Sequence, residues 1–248
     1  MCGRFSLTFS LDLLIQYFNL ETYPFTLDDR FNIAPTEDVP VVRLVDGKRE
    51  LAPLHWGLIP FWTDDPSIGN RMINARAETV ASKPSFKQAF HRRRCLVPAL
   101  GFFDGKKQEK GPKQPYFIHR KDKRPLAMAG LWEHWEGKDD QGQDQTIESF
   151  TIITTDANDA VKDLHHRMPA IIADPKEFDF WLDPETQDEE RLQDLLKPCD
   201  PHILTRYPVS RYVNNARNKW KDCLEPRDRK NNGKKAVEIS LMANIGLL

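Results

Sequence analysis

The chain has 248 residues, 40% of them hydrophobic and 29% charged, enough to bury a substantial core as one large domain or two small ones. A net charge of −1 excludes a global field that would draw it onto nucleic acid. Apolar runs far shorter than the roughly 20 residues of a membrane span exclude a spanning helix, so no membrane partner is expected.

The opening MCGRFSLTFSLDLLIQYF breaks its apolar residues with polar and acidic ones where a signal peptide would be continuous, and a cytoplasmic location is expected. Four scattered cysteines (Cys2, Cys95, Cys199, Cys223) without a C-x-x-C pair argue against a disulfide framework or a zinc site and fit a reducing compartment. No metal or organic cofactor is implied.

In chain order, VPVVRLVDGKRELAPLHWGLIPFW reads as two strands around the turn dipeptide Asp46-Gly47. FHRRRCLVPA carries three consecutive arginines, Arg92, Arg93 and Arg94, which suit either a local phosphate-binding groove or a solvated face. CLVPALGFF and QPYFIHRKDKRPLAMAGLWEHW read as further strands, the latter a pair joined by the polar RKDKR turn. GKDDQGQDQT, 137–146, reads as an exposed loop. SFTIITT is a β-branched strand, followed by a helix-like ANDAVKDLHH. PKEFDFWL and PETQDEERLQDLLKP read as short helices, each opened by a proline. HILTRYPVS is a last strand before a polar tail, whose apolar end ISLMANIGLL suits a final strand or a partner contact. The pattern describes a single α+β domain, with β hairpins dominant and helices peripheral.

Four stretches place polar residues where packing alone would not ask for them: MCGRF, GNRMINARAET, PALGFFDG and DLHHRMPAII. Singly, each has an ordinary reading. Asn74 and Asp104-Gly105 suit turns, His165 suits a cap or a packed core position, and Cys2 behind an initiator methionine is a small residue at a fraying end. Together they suit one chemistry. Removal of Met1 would give Cys2 a free α-amine of reference pKa near 8 beside a thiol near 8.5, and the adjacent ammonium would favour the thiolate. An aldehyde condenses with that amine, and the thiol then closes a five-membered thiazolidine. The step needs an acid/base group and a polar anchor, and Asp104, His165 and Asn74 are of the required types.

MCGRF, FNIAPT, WGLIPFW, NARAET, RRCLVPA and HHRMPAII resemble, in order, the motifs of the SOS-response-associated peptidase (SRAP) family, proteins that crosslink themselves to abasic sites in single-stranded DNA. The resemblance spans about residues 2 to 215 and implies an SRAP-like domain over 1–225 with a barrel-like core of antiparallel strands, leaving 226–248 as a tail. It implies that Cys2 becomes the mature N-terminus, by autoproteolytic removal of the residue before it, and carries the crosslink. It further implies that Asn74 positions Cys2, that His165 is the histidine of H-x-R-M-P, and that abasic single-stranded DNA is the partner. Arg4, Arg76 and Arg167 would grip the backbone, Trp62 would stack on bases, and Pro35 and Thr154 would complete the DNA-binding set.

One departure stands out. Where the family reads G-F-Y-E-W, this chain reads Gly101-Phe102-Phe103-Asp104-Gly105. Asp104 is one methylene shorter than the family glutamate, so its carboxyl is expected to fall on the order of 1.5 Å short unless the backbone moves inward, with a slower acid step and more of the load on His165. Gly105 removes a stacking surface. Two other readings stay open: an N-terminal-nucleophile amidohydrolase, in which the Cys2 thiol attacks an amide, and a non-covalent reader of single-stranded or modified DNA.

Overall fold

A computed structural model of the chain describes residues 2–23, 26–139 and 141–227. The strands are β1 (Phe5–Leu7), β2 (Arg30–Ile33), β3 (Asp38–Val45), β4 (Lys48–Trp56), β5 (Asn74–Arg76), β6 (Arg94–Ala99), β7 (Gly101–Lys106), β8 (Gln114–Arg120), β9 (Leu126–Lys138), β10 (Asp144–Asp156), β11 (Arg167–Pro169) and β12 (Leu204–Pro208). The helices are α1 (Leu11–Phe18), α2 (Pro84–Arg92), α3 (Phe178–Leu182) and α4 (Glu189–Asp194).

The strands form two sheets. One runs β12-β8-β7-β1-β2, antiparallel throughout. The other runs β11-β10-β4-β3-β6-β9, and β9 pairs back onto β10 from Lys138↔Asp144 to Gly130↔Ile152. That second pairing closes β10, β4, β3, β6 and β9 into a ring with no free edge between them, the barrel-like core of an α+β domain. Two pairings in it are parallel, β10 with β4 and β10 with β5, so the sheet is mixed where antiparallel strands were expected.

Sequence explains much of this locally. Asp46 (φ 50°) and Gly47 (φ 74°) hold the left-handed conformations of a two-residue hairpin turn, as the dipeptide predicts. Phe5 of β1 meets Trp56 of β4 at 5.1 Å between ring centroids, and Trp56 stacks on Phe150 of β10 at 6.2 Å, so one aromatic column joins the small sheet to the barrel. The Trp56 indole N–H finds the Ile73 carbonyl at 2.9 Å. The outer face of the small sheet carries a second cluster, Phe103, Phe117, Val209, Val213 and Cys223, covered by the segment after β12.

Several expectations change. CLVPALGFF splits at Leu100 into β6 and β7, which belong to different sheets. RKDKR is likewise a crossover between sheets, because β8 and β9 do not pair. The 137–146 stretch is the end of the long β9–β10 hairpin, with Lys138 paired to Asp144. ANDAVKDLHH forms successive turns and no helix. There Asn158 turns its side chain on its own backbone, accepting from the Ala160 N–H at 3.1 Å, and so competes with helical bonding. The second proline-opened helix starts at Glu189, where Asp188 caps the Arg191 N–H at 3.0 Å. Sequence reading overlooked α1 and α2. The tail from residue 228, ISLMANIGLL included, lies outside the described residues.

The triple-arginine run divides. Arg92 is exposed at the end of α2 and Arg93 pairs with Glu133 at 2.8 Å. Arg94 is 2% exposed, its guanidinium shared among the carbonyls of Phe90, His91, Trp181 and Asp183, and burial lowers its pKa to about 10. It is a structural cross-tie between α2 and α3, and neither expected reading holds for it.

Two substitutions test these packing claims by urea unfolding. Arg94→Ala strands those buried carbonyls and is expected to destabilise by about 3 kcal/mol or more. A Cβ at Gly101 would lie 2.4 Å from the Ile118 carbonyl and 2.5 Å from the Phe117 ring, so Gly101→Ala is expected to cost about 1–3 kcal/mol by overpacking. Unchanged midpoints would contradict both.

Candidate active site

The β1–β7 register brings the amino-terminal residues to the site. Phe5 pairs with Phe102, and the Phe103 N–H donates to the Arg4 carbonyl at 2.9 Å, which lines the preceding residues, Cys2 and Gly3, along Asp104 and Gly105. From the barrel side, the Asn74 Nδ2 donates to the Cys2 carbonyl at 2.9 Å. Asn74 stands at the start of β5, itself fixed by parallel pairing with Ile152 of β10. Cys2 is therefore held between the two sheets and is 2% exposed.

Burial pushes the Cys2 thiol up to about 12, with the Asp104 carboxylate adding to the rise and the Arg4 backbone N–H opposing it. In the chain that carries Met1 the sulfur is thus a thiol at neutral pH; the partly ionised thiol expected from sequence belongs to a Cys2 bearing its own ammonium. The Asn74 Oδ1 is buried and accepts no hydrogen bond among the described residues. Since its amide nitrogen is committed to the Cys2 carbonyl, this oxygen is an acceptor awaiting an N–H donor.

Asp104, on β7, accepts from the Gly105 N–H at 2.7 Å, and its charge acts on both Cys2 and His165. His165 lies in the turns between β10 and β11. Its Nδ1 accepts the Arg167 backbone N–H at 3.0 Å, which places the proton of the neutral ring on Nε2. Burial holds its pKa below the usual histidine value; Asp104 opposes this, and His166, stacked at 4.4 Å, and Lys113 act in the same direction as burial. Cys2, Asn74, Asp104 and His165 are thus brought together from the residues before β1, from β5, from β7 and from the β10–β11 turns. Asp104 also lines an open cleft of about 310 Å³, together with Gly3, Arg4, Gly105, Lys113 and Asn214 among others. At Gly105 a Cβ would lie 3.1 Å from the Cβ of Lys113, so the lysine stem stands where a side chain at 105 would begin.

The residues expected to bind DNA divide into two groups. Arg76 is exposed on β5, two residues beyond Asn74, and Trp62 is 52% exposed after β4. Pro35 is half-buried two residues beyond β2. The other three are engaged inside the protein. Arg4 donates to Asn32 Oδ1 at 3.0 Å and to the carbonyls of Val213 at 2.7 Å and Asn214 at 3.3 Å. Arg167 makes a forked pair with Glu78 at 2.7 and 2.9 Å and reaches Asp156 at 2.8 Å, with 6% of its surface exposed. Thr154 is 2% exposed and donates its hydroxyl to the Ala75 carbonyl at 3.1 Å. Burial and existing partners make Arg167 and Thr154 parts of the frame that carries His165 and β5.

Sequence reasoning passed over two supports of the site. Asp163 pairs with Lys106 of β7 at 2.8 Å and with Arg206 of β12, so it staples the His165 turns to the strand that carries Asp104. Asn32, buried on β2, donates to the carbonyls of Val213, Asn215 and Asn218. Asp163 had a sequence signal in its place two residues before His165; a lone Asn32 in FNIAPT had none.

The sequence profile described as "SOS response associated peptidase (SRAP)" matches residues 1–216. The chain is 37% identical over 227 residues to abasic site processing protein YoqW of Bacillus subtilis (strain 168), covering 91% of this chain and 99% of that one. It is 32% identical to abasic site processing protein YedK of Escherichia coli (strain K12), covering 79% and 84%. Its fold matches the X-ray crystal structure of a protein from Bacteroides thetaiotaomicron with a TM-score of 0.76 at 29% identity, over 90% and 98% of the two chains. A profile that covers most of the chain, together with relatives alike along nearly their whole length, places this protein in the SOS response associated peptidase (SRAP) family.

Proposed function

We propose that this protein processes abasic sites in DNA by capturing the ring-opened sugar aldehyde covalently on Cys2, in single-stranded DNA, after removal of Met1. The observation that carries the reading is the meeting of Cys2, Asn74, Asp104 and His165, with Asp104 lining an open cleft. The names of the relatives, abasic site processing proteins, agree with it. Single-stranded DNA is the favoured form because its aldehyde is reached without opening a duplex.

The freed α-amine of Cys2 attacks the aldehyde carbon, and the Asn74 Oδ1 accepts one of its N–H bonds. The Asp104 carboxylate passes the two protons that the attacking nitrogen loses to the aldehyde oxygen, the first making the hydroxyl and the second releasing it as water. The thiol then adds to the imine carbon, its proton passing to the nitrogen, and a thiazolidine results with one water released. His165, with Nδ1 occupied, offers Nε2–H to the oxygen of the sugar. Preorganised donors of this kind act where charge develops. The amidohydrolase reading, in which the Cys2 amine would serve as base for its own thiol, has less support, since it gives no role to the exposed Arg76 and Trp62.

A single-stranded oligonucleotide with one abasic site, mixed with protein of verified intact mass and run on a denaturing gel, is expected to give a shifted band that Cys2→Ala abolishes. Cys2→Ser keeps the amine and is expected to give a band only after borohydride reduction. No band from protein shown to lack Met1 would leave the non-covalent reader.

Crosslinking by Asp104→Asn is expected to slow by about 100-fold, and Asp104→Glu is expected to exceed the wild-type rate by restoring the family's reach. Equal rates for the three would remove Asp104 from the mechanism.

The pH–rate profile supplies a third check. Because burial lowers the His165 pKa, its neutral Nε2–H form persists as pH falls past about 6.5. Protonation of the Cys2 amine is expected to lower the rate below about pH 8, and His165 is expected to add a second, steeper fall only below about 6.5 that His165→Gln erases.

A further inference from the structure

The segment 211–221, RYVNNARNKWK, has four basic residues and no acidic one in a chain that is close to neutral overall. It begins at the cleft, where Asn214 forms part of the wall. Arg4 grips its Val213 and Asn214 carbonyls, and Asn32 grips those of Val213, Asn215 and Asn218, so its inner edge is fixed to the strands that hold Cys2. Lys219 is committed inward, to the Asn32 carbonyl and Glu37. Its neighbour Trp220 is 70% exposed, the most exposed large hydrophobic side chain among the described residues, and Tyr212 is 37% exposed. Arg217 and Lys221 are exposed, with no side-chain hydrogen bond or ion pair among the described residues. One exposed aromatic needs no explanation. Exposed aromatics set among unengaged cations on a segment anchored at the cleft are another matter: this is the composition of a stacking platform for unpaired bases with phosphates alongside.

We propose that 211–221 is the surface that receives single-stranded DNA flanking the captured site, with Trp220 stacking on a base and Arg217 and Lys221 meeting phosphates. This rests on the abasic-site reading above for its ligand, and the test separates the two. Undamaged oligothymidine of about 16 nucleotides is titrated into the full-length protein while tryptophan emission is followed, at several salt concentrations. Trp220→Ala is expected to weaken binding by about tenfold with the salt slope unchanged. The double variant Arg217→Ala, Lys221→Ala is expected to lower the slope of log K against log salt by about 2. Equal urea midpoints for all proteins show that the fold is intact. A single abasic nucleotide, which carries no flanking base to stack, is expected to crosslink equally well to wild type and Trp220→Ala. Wild-type affinity and salt dependence in the variants would overturn this proposal while leaving the covalent band in place. Loss of affinity in the variants from a wild-type protein that forms no covalent band would overturn covalent capture and uphold the surface.

Discussion

Everything at the site depends on holding a three-residue strand from both sides. β1 pairs with β7 on one flank and β2 on the other, and its Phe5 ring is pinned against Trp56 in the barrel. Trp56 in turn donates to Ile73, the residue before Asn74, so the aromatic column that joins the sheets also sets the asparagine that grips Cys2. A chain end ordinarily frays because too few contacts offset its conformational entropy. Here Cys2 is buried at the meeting point of two sheets and inherits the rigidity of both.

Burial has an electrostatic consequence that runs against reactivity. The same enclosure that fixes Cys2 favours its protonated thiol, and the neighbouring carboxylate reinforces this. An ammonium on Cys2 itself would act in the opposite sense at the shortest available range. The site therefore couples the state of the chain end to the nucleophilicity of its sulfur. Arg167 shows a similar double use: its guanidinium ties Glu78, on the turn after β5, to Asp156 at the end of β10, while its backbone N–H selects the His165 tautomer.

The fold was legible in sequence where local chemistry decides it. Asp46-Gly47 announces its hairpin, and the β-branched SFTIITT announces β10. The closed ring was not legible as such, because β10 meets β4 and β5 in parallel and these non-local pairings leave no period or turn residue in the sequence. The candidate set was legible through its motifs, since Cys2, Asn74, Asp104 and His165 each stand in a polar interruption of an apolar run. The accessibility of the arginines was not. Arg167 and Arg94 look like the cations of a groove in sequence, and only the carbonyls and carboxylates around them reveal that they are internal. Asp163 escaped notice for the complementary reason: its partners, Lys106 and Arg206, lie 57 and 43 residues away in sequence.

The burial of Cys2 also has a temporal side. The residues that enclose it come from β5, β7 and the turns before β11, and Arg4 beside it is gripped by carbonyls at 213 and 214. During synthesis the amino terminus emerges long before these partners exist. At about 5–20 residues per second, the interval between the appearance of Cys2 and that of Asn214 is roughly 10–40 s. During that interval the segment around Cys2 is an unstructured peptide open to any enzyme; afterwards the closing of the two sheets withdraws Cys2 from solvent. Order of translation thus separates the exposure of Cys2 from the assembly of the surroundings that bury it.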